Sequence, residues 1–227
     1  MKEILDGYNI TLTPSLEPTD IIVYCNSYGD GTELIIESCE ELNCLPFHLV
    51  VISKINWYVD MSPYPADKVI SEHDHFEGKA DEYLKWMLTG LIPYCEKLLK
   101  VDNPRRILLG YSMSGLFSLY AMYHTDKFAA YISASGSLWY PDFDDYVRSH
   151  EPMTKSPVYL SIGDKECISK NTYLQTTIDK TRHIYEHYKQ QGHVAHFELN
   201  PGNHFVDGDI RQAKGIKWAI AALRNEL

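Results

Sequence analysis

Residues 106–117 read Arg-Ile-Leu-Leu-Gly-Tyr-Ser-Met-Ser-Gly-Leu-Phe. An apolar run typical of a buried strand is followed by a turn of small residues and then directly by a helix start. Gly110, Ser114 and Gly115 are small enough for the strand and helix backbones to approach closely. This is the G-x-S-x-G spacing of a nucleophile elbow, in which the serine has a strained backbone and a raised hydroxyl. We therefore predict that Ser112 is a nucleophile.

The same turn predicts part of an oxyanion hole. The Met113 N–H and the N-terminus of the following helix would face the negative charge that develops on a substrate carbonyl oxygen. A second donor is expected from the turn-rich loop 25–31, which follows an apolar run at 21–24. Ser27 and Tyr28 are the candidates in that loop, and the alternative is an ordinary surface loop.

Apolar runs alternate with helical patterns along the chain. The candidate strands are 8–12, 21–24, 49–52, 107–109, 130–132, 158–160 and 197–199, and the candidate helices are 81–100, 113–124, 171–191 and 209–227. Alternating strands and helices form right-handed β-α-β units, whose helices cover both faces of the sheet. We predict an α/β fold with a mostly parallel central sheet, in one domain spanning residues 1–227.

Further motifs follow the elbow. Residues 128–131 read Phe-Ala-Ala-Tyr and residues 135–140 read Ser-Gly-Ser-Leu-Trp-Tyr. With the elbow, they resemble the esterase family of α/β hydrolases that includes enterochelin esterase, feruloyl esterase and esterase D-like enzymes. The resemblance implies the α/β-hydrolase fold and a serine esterase that works through an acyl-enzyme intermediate. One departure is Ser114, where the family usually has glycine.

A serine nucleophile needs a histidine base and a carboxylate that orients the histidine. In α/β hydrolases the acid and then the histidine follow the nucleophile, each in a loop after a later strand. His204 has this position, in the turn-rich loop 200–205. The acid is Glu166 or Asp164, which both follow the strand at 158. The family resemblance favours Glu166, because the family's acid usually stands three residues after a glycine, here Gly163.

Aromatic residues after two strand ends are candidate walls of a substrate site. Trp139 and Tyr140 follow one strand, and Trp57 follows another, although ordinary packing is the better interpretation for Trp57. About two dozen residues separate Ser135 from the next strand, which is too few for a large helical cap domain. We therefore expect an open cleft without such a cap.

Composition excludes several classes of partner. A formal net charge of −10 disfavours nucleic acid. The acidic N-terminal residues and the lack of any long apolar run predict neither a signal peptide nor a membrane anchor. The five cysteines form no C-x-x-C pair, as expected for a cytoplasmic protein. The expected partner is a small-molecule ester, with no cofactor, and the sequence does not predict an oligomeric state.

Alternatives to an esterase remain. His183-Ile184-Tyr185-Glu186-His187 matches the H-x-x-E-H pattern of inverted zinc peptidases, but its histidines are predicted to face water, so no metal is expected. Residues 72–75, Glu-His-Asp-His, form a second metal-like cluster, for which a solvated loop or a place beside the cleft is the better interpretation. The same nucleophile would also serve an acyltransferase, and the fold could persist as an inactive binding module.

Overall fold

The structure is a computed structural model that describes residues 1–226, so Leu227 of the last predicted helix lies outside the described residues. The strands are β1 Lys2–Leu5, β2 Tyr8–Thr13, β3 Ile21–Asn26, β4 His48–Ser53, β5 Pro65–Asp67, β6 His75–Glu77, β7 Arg105–Tyr111, β8 Ala130–Ala134, β9 Val158–Gly163 and β10 Ala195–Asn200. The helices are α1 Thr32–Glu41, α2 Ala80–Trp86, α3 Ile92–Leu99, α4 Met113–Ala121, α5 Phe143–Ser149, α6 Thr172–Gln175, α7 Thr177–Gln190 and α8 Gly208–Arg224.

Eight strands form one twisted sheet in the order β1-β2-β4-β3-β7-β8-β9-β10. Six neighbouring strands of this sheet run parallel: β4, β3, β7, β8, β9 and β10. An antiparallel hairpin of β1 and β2 extends the edge at β4. From β3 the chain moves to β4 on one side and later returns to β7 on the other. This reversal opens a crevice at the carboxyl ends of β3 and β7, where open α/β sheets bind ligands.

Helices cover both faces of the sheet, as predicted. Side chains alternate along β3, so Ile22 and Tyr24 join one apolar core while Ile21 and Val23 join the other. The first core is covered by α2, α3, α4 and α7, and the second by α1 and α8. The α/β-hydrolase architecture is confirmed, and the short α5 is the helix that joins β8 to β9. Among the helices of residues 1–226, none has the length and apolar composition of a membrane-spanning segment.

Two predicted helices are interrupted. The segment predicted as 81–100 contains a π-helical turn, Met87–Leu91, between α2 and α3. Pro93 explains it, because proline lacks an N–H and its ring clashes with the carbonyl four residues earlier in a regular α-helix. The segment predicted as 171–191 divides into α6 and α7, and Asn171 caps α6 by accepting hydrogen bonds from two backbone N–H groups.

Candidate active site

Ser112 lies at the sharp turn between β7 and α4. Its backbone has φ 59° and ψ −124°, a conformation that a residue with a side chain rarely adopts. The neighbouring backbone holds it there, because the Ser112 N–H donates to the Ala134 carbonyl and the Ser112 carbonyl accepts from the Ser137 N–H. A Cβ at Gly110 would lie 1.9 Å from the Ser114 carbonyl oxygen, so glycine is required at that position. The turn therefore has the shape of a nucleophile elbow.

Ser114, the departure from the family pattern, has a structural role. Its hydroxyl accepts a hydrogen bond from the Tyr111 N–H at 2.9 Å and lies 2.8 Å from the Asn26 carbonyl oxygen, to which it donates. Asn26 is the last residue of β3, so this hydroxyl joins the elbow to the strand that precedes the loop with Ser27 and Tyr28. A glycine could make neither hydrogen bond with a side chain.

Three of the predicted site residues form a chain of two hydrogen bonds, from Ser112 to His204 and from His204 to Glu166. His204 Nε2 lies 3.0 Å from Ser112 Oγ, and His204 Nδ1 lies 2.7 Å from Glu166 Oε2. Since an ionised carboxylate only accepts hydrogen bonds, Nδ1 carries the proton and Nε2 is free to accept one from Ser112. The Tyr111 hydroxyl donates to the His204 carbonyl at 2.7 Å and so fixes the loop that carries the imidazole. This is the geometry of a serine–histidine–carboxylate triad.

Glu166 is almost completely buried and fully hydrogen-bonded. Its second oxygen, Oε1, accepts from the Gly163 N–H at 2.8 Å and from Arg211 Nη1 at 2.7 Å. Burial acts to raise the pKa of this carboxyl, but the hydrogen bond and charge of His204 and the Gly163 N–H outweigh it and hold the pKa below its usual value. Glu166 is therefore ionised at neutral pH.

Arg211 is a residue of the candidate site that the sequence interpretation missed. Its side chain is 0% exposed, and besides Glu166 it contacts Ser135 Oγ at 2.8 Å. Its other terminal nitrogen donates to the carbonyls of Pro201 and Asn203, both at 3.0 Å. One guanidinium thus holds the acid and the backbone of the histidine loop together.

Asp164, the alternative acid, lies in a different environment. Its Oδ1 accepts from the Gly202 N–H at 2.8 Å, and its own N–H donates to the Asn200 carbonyl. No hydrogen bond joins it to His204 in the described part of the chain. Asp164 therefore braces the histidine loop, while Glu166 contacts the imidazole.

The candidate oxyanion donors differ in availability. The Met113 N–H lies at the first position of α4, so it has no carbonyl partner within its own helix. The Ser27 N–H donates to the Ile52 carbonyl at 2.8 Å because the pairing of β3 with β4 continues by one residue, which removes Ser27 as a backbone donor. Tyr28 is left as the candidate in that loop. Ser137, which the sequence interpretation did not select, places its hydroxyl 3.3 Å from Ser112 Oγ.

A cleft of about 780 Å³ opens above Ser112 and His204. Trp139 and Trp57 both line it, so Trp57 does more than pack in the core. The prediction that Tyr140 forms a wall of the cleft is wrong. Tyr140 is fully buried, its hydroxyl donates to the Tyr64 carbonyl at 2.6 Å, and it is not among the residues that line the cleft. Adjacent residues of a turn point in different directions, and here only Trp139 faces the cleft.

The metal-like motifs do not form metal sites in the structure. His183 is exposed on α7 and His187 is half-buried. Within residues 1–226, no group of three or more His, Cys, Asp or Glu side chains is arranged to hold a metal ion. In the 72–75 cluster, the Asp74 carboxylate accepts hydrogen bonds from the backbone N–H groups of Ile70 and Ser71 and borders the cleft.

Comparisons with known proteins identify the family of the chain. Residues 27–208 match the family model described as "Putative esterase". The chain is 27% identical over 175 residues to the uncharacterized protein YbbA of Bacillus subtilis, covering 72% of this chain and 70% of that protein.

Solved structures share the fold at low sequence identity. The siderophore hydrolase EstA from Aspergillus nidulans superposes with a TM-score of 0.75 at 19% identity, covering 98% of this chain and 93% of that one. An IroE-like serine hydrolase from Shewanella oneidensis also has a TM-score of 0.75, at 18% identity, covering 93% of this chain and 74% of that one. The family match extends over most of the chain and includes both Ser112 and His204. The chain therefore belongs to the esterase family of α/β hydrolases and is a serine hydrolase that acts on esters.

Proposed function

We propose that the protein hydrolyses a carboxylic ester through an acyl-enzyme intermediate, with Ser112 as nucleophile, His204 as general base and Glu166 as the orienting acid. The observation that carries the proposal is the pair of hydrogen bonds from Ser112 Oγ to His204 and from His204 to Glu166, at 3.0 and 2.7 Å. Both distances are within the range in which a proton passes between heteroatoms. The strained elbow presents Ser112 Oγ to the cleft.

In the acylation step, Ser112 Oγ attacks the carbonyl carbon of the ester while His204 Nε2 takes the hydroxyl proton. The tetrahedral intermediate then collapses, the bond to the alcohol oxygen breaks, and His204 returns the proton to the leaving alcohol. Glu166 stays ionised throughout and stabilises the imidazolium that forms between the two transfers. Arg211 restrains the carboxylate oxygen that does not contact His204.

In the deacylation step, water attacks the acyl carbonyl carbon while His204 Nε2 takes its proton. The bond to Ser112 Oγ then breaks, His204 returns the proton to Oγ, and the acid leaves. The cleft is open to solvent above Ser112, so water can reach the acyl-enzyme. The oxyanion of each intermediate would be stabilised by the Met113 N–H, with the Tyr28 N–H as the second donor. Each such donor contributes about 10²- to 10³-fold to the rate in related chemistry.

Replacing the nucleophile and the base tests this function. Ser112→Ala and His204→Ala are each expected to lower kcat for 4-nitrophenyl acetate by about 10⁴-fold or more, because each removes one end of the proton transfer. His183→Ala is the matched control, since His183 is an exposed histidine on α7, and it should leave kcat unchanged. Wild-type turnover by either active-site variant would disprove the assignment. A panel of acyl, aryl and siderophore esters would then define the ester class, since siderophores are what EstA is named for hydrolysing.

A further inference from the structure

The walls of the cleft are largely apolar and carry large side chains. Trp57, Trp139 and Phe76 line it together with Leu34 and Ile70. At its mouth, Phe205 is 91% exposed and Tyr28 is 85% exposed, and each belongs to the lining. Apolar side chains grouped around a concave site and left in water mark a surface that binds an apolar group.

The acidic side chains that line the cleft are not balanced by basic ones. Two lining residues are aspartates, Asp74 and Asp209, and none of the lining residues in the described chain is lysine or arginine. The partners of both carboxylates are neutral: backbone N–H groups, Ser71 and Tyr58 for Asp74, and the Ser38 hydroxyl for Asp209. Within residues 1–226, no cation lies within ion-pair distance of either one.

Asp74 retains its charge although it is buried. Burial acts to raise the pKa of its carboxyl, but the hydrogen bonds from the backbone and hydroxyl groups outweigh it and hold the pKa below its usual value. Arg211, the guanidinium behind the site, is paired with Glu166 and lies inside the protein. The formal net charge of −10 adds to the same negative field.

We propose that this cleft selects an uncharged ester with a bulky apolar or aryl group and discriminates against esters that carry a negative charge near the scissile bond. The inference rests on the proposed function and specifies its substrate class. An anionic group in the cleft would lose water, meet two unneutralised carboxylates and find no cation to pair with. An aryl group would contact the aromatic and aliphatic walls and release water from them.

A pair of substrates of similar size tests the charge, once each kcat/KM is divided by the rate constant of the same ester with free imidazole, which corrects for the intrinsic reactivity of the carbonyl. We compare the 4-nitrophenyl ester of a benzoic acid bearing a para carboxamide with the same ester bearing a para carboxylate, since the two groups are similar in size. The carboxamide ester is expected to have a kcat/KM at least about tenfold higher, corresponding to modest repulsion in a partly solvated site. The ratio should shrink at 1 M salt, where the screening length falls to about 3 Å, whereas a steric preference would not respond to salt.

A positive charge introduced into the cleft provides a second test of the charge selection. Leu34 is 57% exposed on α1 and lines the cleft, so a polar side chain is tolerated there without disturbing the core. Leu34→Lys should raise kcat/KM for the carboxylate ester relative to the carboxamide ester. Leu34→Gln, the uncharged control, should leave that ratio as it is in the wild type.

The outcomes separate this inference from the proposed function. Equal kcat/KM values, a preference for the carboxylate, or a ratio independent of both salt and Leu34→Lys would overturn the charge selection while ester hydrolysis stands. Turnover of 4-nitrophenyl acetate without turnover of either aryl ester would overturn the bulky apolar site. Failure on all three esters, with no reaction of Ser112 with a fluorophosphonate, would overturn the proposed function itself.

Discussion

Arg211 Nη1 lies 2.7 Å from Glu166 Oε1, and the Arg211 side chain is completely shielded from water. The contact occurs on the side of the carboxylate opposite to His204, so Glu166 is held between a cation and the imidazole. The same guanidinium donates to two carbonyls of the loop that carries His204. Arg211 therefore couples the position of Glu166 to the position of the loop that carries His204.

Arg211→Met should destabilise the fold and slow the reaction. The substitution leaves the buried Glu166 carboxylate without its cation and the carbonyls of Pro201 and Asn203 without the guanidinium donor. Breaking a buried ion pair on one side costs about 3–5 kcal/mol. A displaced histidine loop should lower kcat by about 10²-fold. Urea unfolding and steady-state kinetics measure the two effects. Lys217→Met, an exposed position on the same helix, is the control and should change neither; equal behaviour of the two variants would contradict the role of Arg211.

The two candidate acids should respond differently to loss of charge. Glu166→Gln is expected to lower kcat by up to about 10⁴-fold, because an amide next to His204 Nδ1 favours the wrong tautomer. Asp164→Asn retains an oxygen that can accept from the Gly202 N–H, so kcat should stay within about tenfold of the wild type. Kinetics on a nitrophenyl ester distinguish the two. A larger loss in Asp164→Asn than in Glu166→Gln would reverse the assignment.

Stability should depend on pH through Glu166. The pKa of this carboxyl is held below its usual value of 4.5 in the folded protein, so the unfolded chain binds the proton more readily. The stabilisation is therefore complete above pH 4.5 and is lost as the pH falls through the lower folded-state value. We expect the difference in unfolding free energy between wild type and Glu166→Gln to shrink on acidification below pH 4.5. A difference that grows on acidification would show that burial dominates the pKa.

The elbow should not tolerate a methyl group at Gly110. A Cβ there would lie 1.9 Å from the Ser114 carbonyl oxygen, so the strand and helix backbones would have to separate. Gly110→Ala should cost about 3 kcal/mol or more and abolish turnover, at the upper end of single-substitution effects. The control is Gly90→Ala, where a Cβ would make only ordinary contact, 3.7 Å from the Trp86 ring. Calorimetry and kinetics on both variants test this, and near-wild-type stability of Gly110→Ala would contradict the described turn.

Contiguous patterns made the α/β class and the elbow predictable from the sequence. The strand, small-residue turn and helix around Ser112 follow one another directly, so local rules suffice there. Chain order and family resemblance pointed to His204 and Glu166. Arg211 carries no motif, and Glu166, the residue it pairs with, is 45 positions away. The available signal was its place on the buried face of α8 with Gly215 and Ala219, where a lone charge implies a buried partner.

The walls of the cleft could not be predicted in the same way. Phe76 lies in β6, a strand of three residues, which is too short to show a periodic pattern. Tyr140 and Trp139 are adjacent aromatics in one turn, and only packing decides which of them faces the cleft. Whether the Ser27 N–H could act as an oxyanion donor depended on where the hydrogen-bonded pairing of β3 with β4 ends. The pairing continues by one residue, and the Ser27 N–H is used in it.

Covalent labelling shows whether Ser112 is the activated nucleophile. The protein is treated with an uncharged fluorophosphonate, digested and mapped by mass spectrometry. We expect one adduct, on the peptide that contains Ser112, formed much more slowly in His204→Ala and at the wild-type rate in His183→Ala. An adduct on another residue, or equal labelling rates in His204→Ala and the wild type, would contradict it.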